Sequence, residues 1–319
     1  MARRIMVAVD LSLCKEALLP LQAVGEVDYY FPIVPAQILE NIGRYDAYLG
    51  HTDIKVDAGF LARAARLRVV GTCSTGTDHV DKPALAARGI GLLSITTDYD
   101  LLERFTSTAE LAWGLLIACR RKLPYHFERA KRGEIGPERG AALPPQLSGK
   151  TLGILGYGRL GRMVADYGRA FRMRVIATDI KPIRSPGVEQ VDLDTLLAAS
   201  DVVSLHVHLR DETRHLISRE ALAKMKEGAI LINTARGDLI DEDALLEALT
   251  SGHLAGAGLD VIHDEWDPNL AARPILAYAR THHNLILTPH LGGVSLESVT
   301  EARTFMAKKM ARYVAENLQ

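Results

Sequence analysis

Lys150-Thr151-Leu152-Gly153-Ile154-Leu155-Gly156-Tyr157-Gly158-Arg159-Leu160-Gly161 is the stretch whose reading decides the fold. Leu152 to Leu155 is a short apolar run of the kind that forms a buried strand. It breaks into Gly156-x-Gly158-x-x-Gly161, and then into a helical pattern carried by Leu160, Met163, Val164, Tyr167 and Phe171. Strand, glycine turn and helix in that order suit a dinucleotide site. Gly156 lets the chain turn sharply, Gly158 lets a pyrophosphate approach the backbone, and Gly161 lets the helix pack closely. The helix N-terminus offers free N–H groups and a partial positive charge to the phosphates.

A Gly-x-Gly-x-x-Gly alone is weak, because glycine-rich turns are common. Here it has a strand before it, a helix after it, and an acid at the end of the next strand. That strand is Arg174-Val175-Ile176-Ala177-Thr178, and it ends on Asp179, 18 residues past Gly161. A carboxylate there accepts hydrogen bonds from the adenosine ribose. It would disfavour a 2′-phosphate placed about 4 Å away by roughly 4 kcal/mol at an effective dielectric of 20. The solvated cations Lys181 and Arg184 offset only about 0–1 kcal/mol each, so NAD is the expected cofactor, ahead of NADP.

Working outward, 319 residues with 48% hydrophobic content suit two α/β domains with real cores. The net charge is −1 with acids and bases interspersed, which gives no footprint for nucleic acid. Cys14, Cys73 and Cys119 have neither disulfide nor metal spacing, as expected of a cytoplasmic protein that uses no metal. Ile5 to Val9, after the basic Met1 to Arg4, is too short for a signal core, and Leu111 to Cys119 is too short to span a bilayer. A soluble protein with no membrane partner is the expectation.

Residues 1–100 alternate strand-like and helix-like runs, which predicts a parallel sheet. The expected strands are Ile5–Val9, Val27–Phe31, Ala47–Leu49, Leu67–Val70 and Ile90–Leu93, with helices at Leu61–Leu67 and Lys82–Arg88. From Glu103 to Leu123 the pattern is one long helix, capped by Thr106 or Ser107 and stopped by Pro124. Residues 125–149, with Gly133, Gly136, Gly140, Pro144 and Pro145, read as a polar arm. Six strands follow, at 151–155, 175–178, 202–205, 229–233, 256–260 and 285–288, with helices near 159–172, 193–199, 219–226 and 242–250. They form a doubly wound set with its cofactor at the carboxyl ends. The last helix, Ser295 to Asn317, lines up Val299, Met306, Met310 and Val314 on one face and is expected to return to the first domain.

Three polar clusters sit at strand ends of the second domain: Asn233-Thr234-Ala235-Arg236-Gly237, Leu259-Asp260-Val261 with Glu265 beyond it, and Thr288-Pro289-His290-Leu291-Gly292-Gly293. An arginine, an acid and a histidine beside a nicotinamide suit oxidation of an alcohol next to a carboxylate. His263, Asp264 and Asp267 flank Glu265, and a shift of the loop could present another carboxylate. His79, His206, His208, His253, His263, His282 and His283 read as solvent-facing or backbone-bonded, with no metal spacing. Trp266 is a candidate pocket wall.

On these residues the chain resembles the D-isomer-specific 2-hydroxyacid dehydrogenases. The resemblance rests on the glycine turn, Asp179, Leu205-His206-Val207-His208-Leu209, the three clusters, and a first-domain segment, Ser74-Thr75-Gly76-Thr77-Asp78-His79-Val80-Asp81, that looks like the family's substrate loop. It implies two doubly wound parallel-sheet domains, a flavodoxin-like substrate domain (1–101 plus 294–319) and a Rossmann NAD-binding domain (102–293), with a cleft between them. It implies that His290 is the acid–base, that Glu265 orients it, and that Arg236 holds the substrate's carboxylate and carbonyl. Ser74, Thr75 and Gly76 would join Arg236 and His290 in binding substrate. Gly156, Gly158, Arg159, Leu160, Gly161, Asp179, Val207, Thr234, Ala235, Asp260, Gly292 and Gly293 would bind NAD. The long helix and the arm would make a homodimer through the NAD-binding domain. The substrate would be a D-2-hydroxy acid or 2-keto acid such as glycerate, hydroxypyruvate or 3-phosphoglycerate. Gly71-Thr72-Cys73-Ser74 carries no cation for a phosphate, which leaves His51 and Lys55 as the nearest candidates. Two other activities fit the same scaffold: an NAD(H)-sensing, corepressor-like binding protein, and phosphite oxidation. Formate oxidation pairs its histidine with glutamine, and Glu265 argues against it.

Overall fold

The computed structural model describes residues 3–137 and 143–318, so Met1 of the basic start and Gly140 of the arm lie outside the described residues. The chain divides into two compact units, Met1–Phe105 with Ser295–Gln319, and Thr106–Val294.

The first unit alternates β1 (Arg4–Ala8), α1 (Leu19–Gln22), β2 (Glu26–Tyr29), α2 (Pro35–Asn41), β3 (Ala47–Gly50), α3 (Ala58–Arg63), β4 (Val69–Thr72), α4 (Lys82–Ala87), β5 (Gly91–Leu93) and α5 (Tyr99–Leu102). Its five strands run parallel in the order β2-β1-β3-β4-β5. Both faces of the central strands are buried, which is why β1, β3 and β4 read as nearly unbroken apolar runs. The helix expected at Leu61–Leu67 lies three residues earlier, at Ala58–Arg63, because Asp57 caps it through the Phe60 N–H. The final helix has its N-cap at Ser295 and packs on this same sheet. Met306, Met310 and Val314 are fully buried in its face, each contributing about 1.5–3 kcal/mol. Gly71 of β4 makes room for it, since a Cβ there would lie 2.5 Å from Met310 Cε.

The second unit contains α6 (Ser107–Arg120), α7 (Leu123–Lys131), β6 (Thr151–Leu155), α8 (Arg159–Ala170), β7 (Arg174–Thr178), β8 (Val188–Gln190), α9 (Leu193–Ala199), β9 (Val202–Leu205), α10 (Arg219–Lys224), β10 (Ala229–Asn233), α11 (Glu242–Thr250), β11 (Leu254–Leu259), α12 (Pro274–Thr281) and β12 (Leu285–Leu287). The C-terminal helix, α13, is Leu296–Asn317 of the first unit. All seven strands are parallel, in the order β12-β11-β10-β9-β6-β7-β8. The strand order reverses between β9 and β6, so the turn after β6 lies at the switch point where a doubly wound sheet binds its ligand.

Three expectations need correction. The sheet has seven strands: β8 is a three-residue edge strand with only Val188 half-buried, too short to show alternation. The single helix over 103–123 is instead α6 followed by α7. Lys122 turns left-handed at φ 48° between them, and Pro124 opens α7 in its first turn rather than ending α6. Part of the 125–149 arm is therefore helical. Helix α12 has no counterpart in the sequence pattern, because only Ile275 of it is buried.

Candidate active site

Because the sheet is parallel, the ends of β6, β7, β9, β10, β11 and β12 emerge on one edge. The three glycines after β6 serve three separate purposes. Gly156 has φ 93°, and a Cβ on it would lie 2.7 Å from the His206 carbonyl oxygen. A Cβ on Gly161 would lie 2.1 Å from the Gly156 carbonyl oxygen, so α8 starts in contact with the turn. Gly158 has ordinary extended backbone as the N-cap of α8, and a Cβ there would meet nothing within 4 Å. Backbone and packing leave that position free, as a cradle for a phosphate requires. By helix geometry the first-turn N–H groups of α8, those of Leu160 and Gly161 among them, have no intrahelical acceptor.

Asp179 ends β7 and accepts the Tyr157 N–H on Oδ2 at 2.7 Å and the Lys181 N–H on Oδ1 at 2.9 Å. Each oxygen retains lone-pair capacity for a ribose hydroxyl. Gln190 of β8 fixes the same loop, donating to the Asp179 and Lys181 carbonyls and accepting from the Ile183 N–H. Val207 packs on the glycine turn, its Cγ1 2.7 Å from where a Gly156 Cβ would be. Thr234 is buried, and among the described residues its Oγ1 has no hydrogen-bond partner. The open space at Gly158 and this orphaned hydroxyl fit a bound dinucleotide.

At the end of β10, Asn233 is fully buried and clamps its own loop. Its Oδ1 accepts the Ala235 N–H at 2.9 Å and its Nδ2 donates to the Arg236 carbonyl at 2.8 Å. Arg236 itself is half-buried, with Nη1 donating to the Ala235 carbonyl at 2.6 Å. Gly237 has no room for a side chain: a Cβ would lie 2.0 Å from the Ile262 carbonyl carbon. The loop carrying Arg236 thus touches the backbone of the loop carrying Glu265.

His290 Nδ1 lies 2.6 Å from Glu265 Oε1. That hydrogen bond raises the pKa of His290 above the ordinary histidine value, against the opposing effects of burial and of the nearby Arg236 charge. The imidazole is held by its backbone. His290 adopts φ 54°, and its N–H donates to the Asp260 and Thr288 carbonyls. Asp260, 2% exposed, accepts Thr288 Oγ1 and the Leu291 N–H on Oδ1, and the Gly292 N–H on Oδ2 at 2.7 Å. It therefore organises the 288–292 loop. A Cβ on Gly292 would lie 3.0 Å from Asp260 Oδ2, whereas Gly293 faces open space.

Of the two flanking carboxylates, that of Asp267 bonds elsewhere. Asp267 Oδ1 accepts the Asn269 N–H, and the Asp264 carbonyl accepts the Asp267 N–H. His263 Nδ1 faces Asp238 Oδ1, and His206 Nε2 lies 2.9 Å from Ser204 Oγ, so each of these two histidines bonds a side chain. Burial lowers His206 to about 4. Trp266 is 58% exposed, its ring centroid 6.5 Å from that of His290. The role of Asn233 lies in no motif, although an asparagine two residues before an N–H it binds is a local turn signal. Gln190, Asp238, Glu242 and Arg273 lay in no motif.

In the first unit, Ser74 Oγ donates to the Gly76 carbonyl and lies 3.1 Å from Thr72 Oγ1, while Thr96 Oγ1 donates to the Thr75 carbonyl. Among the described residues the N–H groups of Thr75 and Gly76 have no internal acceptor. His51 Nδ1 lies 3.1 Å from Asp53 Oδ2, and Lys55 is exposed. Among the described residues no three His, Cys, Asp or Glu side chains gather as metal ligands, and no helix is long and apolar enough to cross a membrane.

Residues 113–292 match the family described as D-isomer specific 2-hydroxyacid dehydrogenase, NAD binding domain. A hydroxypyruvate reductase of Thermotoga maritima is 38% identical over 82% of this chain and 82% of its own length. A D-3-phosphoglycerate dehydrogenase of Methanocaldococcus jannaschii is 35% identical over 95% of this chain, which spans 56% of that protein. The crystal structure of D-lactate dehydrogenase from Aquifex aeolicus, complexed with NAD and lactic acid, superimposes with a TM-score of 0.84. It is 29% identical and covers 99% of this chain and 96% of its own.

Proposed function

Because this chain belongs to the D-isomer specific 2-hydroxyacid dehydrogenases, and so is an NAD-dependent oxidoreductase of 2-hydroxy and 2-keto acids, we propose that His290, Glu265 and Arg236 carry its chemistry. The observation behind this reading is the 2.6 Å contact between His290 Nδ1 and Glu265 Oε1, made at the edge that also holds Arg236 and the glycine turn. When bound, NAD⁺ would accept the hydride at its nicotinamide and NADH would supply it. Glu265 fixes Nδ1 and leaves Nε2 to give a proton to, or take one from, the oxygen on C2. Arg236 offers a planar fork to the carboxylate and carbonyl oxygens, where negative charge develops on reduction. Gly156, Gly158, Arg159, Leu160, Gly161, Asp179, Val207, Thr234, Ala235, Gly292 and Gly293 are assigned to the cofactor, and Asp179 sets the preference for NAD. Asp260 is assigned there through the loop that it holds. Ser74, Thr75 and Gly76 are assigned to the substrate carboxylate, on the strength of the unpartnered N–H groups at 75 and 76.

The engagement of His51 with Asp53 supports a substrate without a phosphate, of the hydroxypyruvate or glycerate kind. We also assign a homodimer built through the second unit, because α7 buries none of its residues there while Leu123 and Phe127 stay exposed. A cytoplasmic setting accords with three free thiols. The test is NADH absorbance with a panel of 2-keto acids, including phosphohydroxypyruvate. The expected result is turnover of small unphosphorylated members that is lost in His290→Ala. Tight NADH binding with no turnover of any member would instead favour a sensor.

A further inference from the structure

The stretch from Val261 to Asn269, which carries Glu265, has no helix or strand to stiffen it, and Asp264 within it is left-handed at φ 44°. A carboxylate on such a loop reaches one imidazole reproducibly only if something else fixes the backbone. His263, two residues before Glu265, is held three ways. Its N–H donates to Glu242 Oε1 at 2.5 Å. Its carbonyl accepts from Arg273 Nη1. Its Nδ1 faces Asp238 Oδ1, and the other oxygen of Asp238 pairs with Arg214. Arg273 Nη2 also donates to Glu242 Oε2 at 2.7 Å, with only 18% and 12% of the two side chains exposed. Asp238 stands two residues after Arg236, so the same network ties both loops together.

We propose that the Glu242–Arg273 pair and the His263–Asp238 pair form a clamp that sets the distance from Glu265 to His290. This makes Glu242, Arg273, His263 and Asp238 positioning residues for the acid–base pair. The inference rests on the acid–base reading of His290 and Glu265 given above. Its physical basis is an asymmetry. A well-bonded buried ion pair adds little net stability, but removing one partner leaves the other buried and unpaired. The pair fixes the loop because both of its members bond the backbone of the same residue. Burial pushes the Glu242 carboxyl above its ordinary value and Arg273 opposes that push, so removing Arg273 disfavours the charged form that holds the His263 N–H. Slippage of Glu265 by about 1 Å is enough to cost up to a hundredfold in rate.

The test uses the full chain and follows NADH affinity, thermal melting and the pH profile of keto-acid reduction together. The groups that act on His290 are Glu265 by hydrogen bond, Asp260 by charge, and Arg236 in the opposite sense. Arg273→Met is expected to lower kcat by about tenfold to a hundredfold. It should shift the limb assigned to His290 to lower pH, in the direction of Glu265→Gln, with the NADH Kd within about twofold of wild type. Glu242→Gln keeps an acceptor for the His263 N–H and should shift the limb the same way by a smaller amount; it decides the matter if Arg273→Met does not fold. Folded variants with an unmoved limb would overturn the clamp, whether or not kcat falls. If Glu265→Gln itself leaves the limb in place, the acid–base reading fails. If Glu265→Gln moves it and the clamp variants do not, the clamp alone fails.

Discussion

Gly158→Ala separates folding from binding in the glycine turn. At Gly158 the backbone is extended with φ −78°, so alanine fits without strain, and its Cβ would meet no atom within 4 Å. Two small effects on stability oppose each other. Alanine restricts the unfolded chain, which stabilises by about 0.4–1 kcal/mol. It is also a poorer N-cap than glycine, by about 0.5–1 kcal/mol. The melting temperature should therefore stay within about 3 °C of wild type. Binding differs, because the added methyl occupies the space assigned to the pyrophosphate. Overpacking of that kind costs about 1–3 kcal/mol, which is about a 5- to 150-fold weaker NADH Kd. Fluorescence titration of NADH and a thermal melt on the same preparation measure both quantities. Gly161→Ala is the control, since its Cβ would fall 2.1 Å from the Gly156 carbonyl oxygen and must damage the fold. An unchanged NADH Kd in a normally melting Gly158→Ala would refute the placement of the phosphates. So would a loss of stability as large as that of Gly161→Ala.

Asp179→Ala should lower the NADH:NADPH affinity ratio and weaken NADH binding, because the same carboxylate holds the Tyr157 and Lys181 N–H groups; an unchanged ratio counts against its ribose role. Arg236→Lys should reduce kcat for keto-acid reduction about tenfold or more with little change in NADH Kd, since a point charge cannot replace a fork; intact reduction would show Arg236 to be misassigned. The pH dependence has a definite sign. The Glu265 hydrogen bond raises the His290 pKa, and reduction needs the protonated imidazole. Reduction should hold below that raised value and fall as pH rises through it, and alcohol oxidation should show the opposite limb. Glu265→Gln should move both limbs to lower pH, as measured by initial rates across a buffer series.

What was legible in the sequence was whatever local pattern controls. The glycine turn, the buried strands and the polar clusters after them are dictated by burial on both faces of a parallel sheet, and short apolar runs record that directly. The edge strand Val188–Gln190 escaped because one apolar residue carries no period, yet it brings Gln190 to the loop after Asp179. The break at Lys122 escaped because a left-handed lysine leaves no compositional trace. Arg236, Glu265 and His290 were readable as candidates because each stands beside a strand end. The residues that hold them were not. Glu242 and Arg273 are 31 positions apart and meet only in the folded chain. Asp260 reads as a cofactor contact, and no local pattern shows that its carboxylate also takes three donors from a loop about thirty residues away.

That engagement bears on why the site needs so many supporting bonds. His290 sits in a left-handed conformation that a non-glycine residue adopts at a cost of about 1–3 kcal/mol. Left to itself, the 288–293 loop would relax and swing the imidazole away. Asp260 opposes this with three accepted hydrogen bonds, and its carbonyl takes the His290 N–H as well. Hydrogen bonds to a charged group contribute about 1.5–3 kcal/mol each, so together they exceed the strain. The opposite side of the imidazole rests on Glu265, whose loop has no regular structure and is fastened through His263. The histidine is thus fixed from two directions by carboxylates in different states. Asp260 is buried, accepts its three hydrogen bonds from the loop, and reaches the ring only by charge. The other is half-exposed and acts on the ring nitrogen. Only the second can tune the proton affinity of the ring without also releasing the loop, which is why substitutions at Glu265 and at Asp260 should differ in kind: the first moves a pH limb, and the second removes the geometry that makes the limb observable.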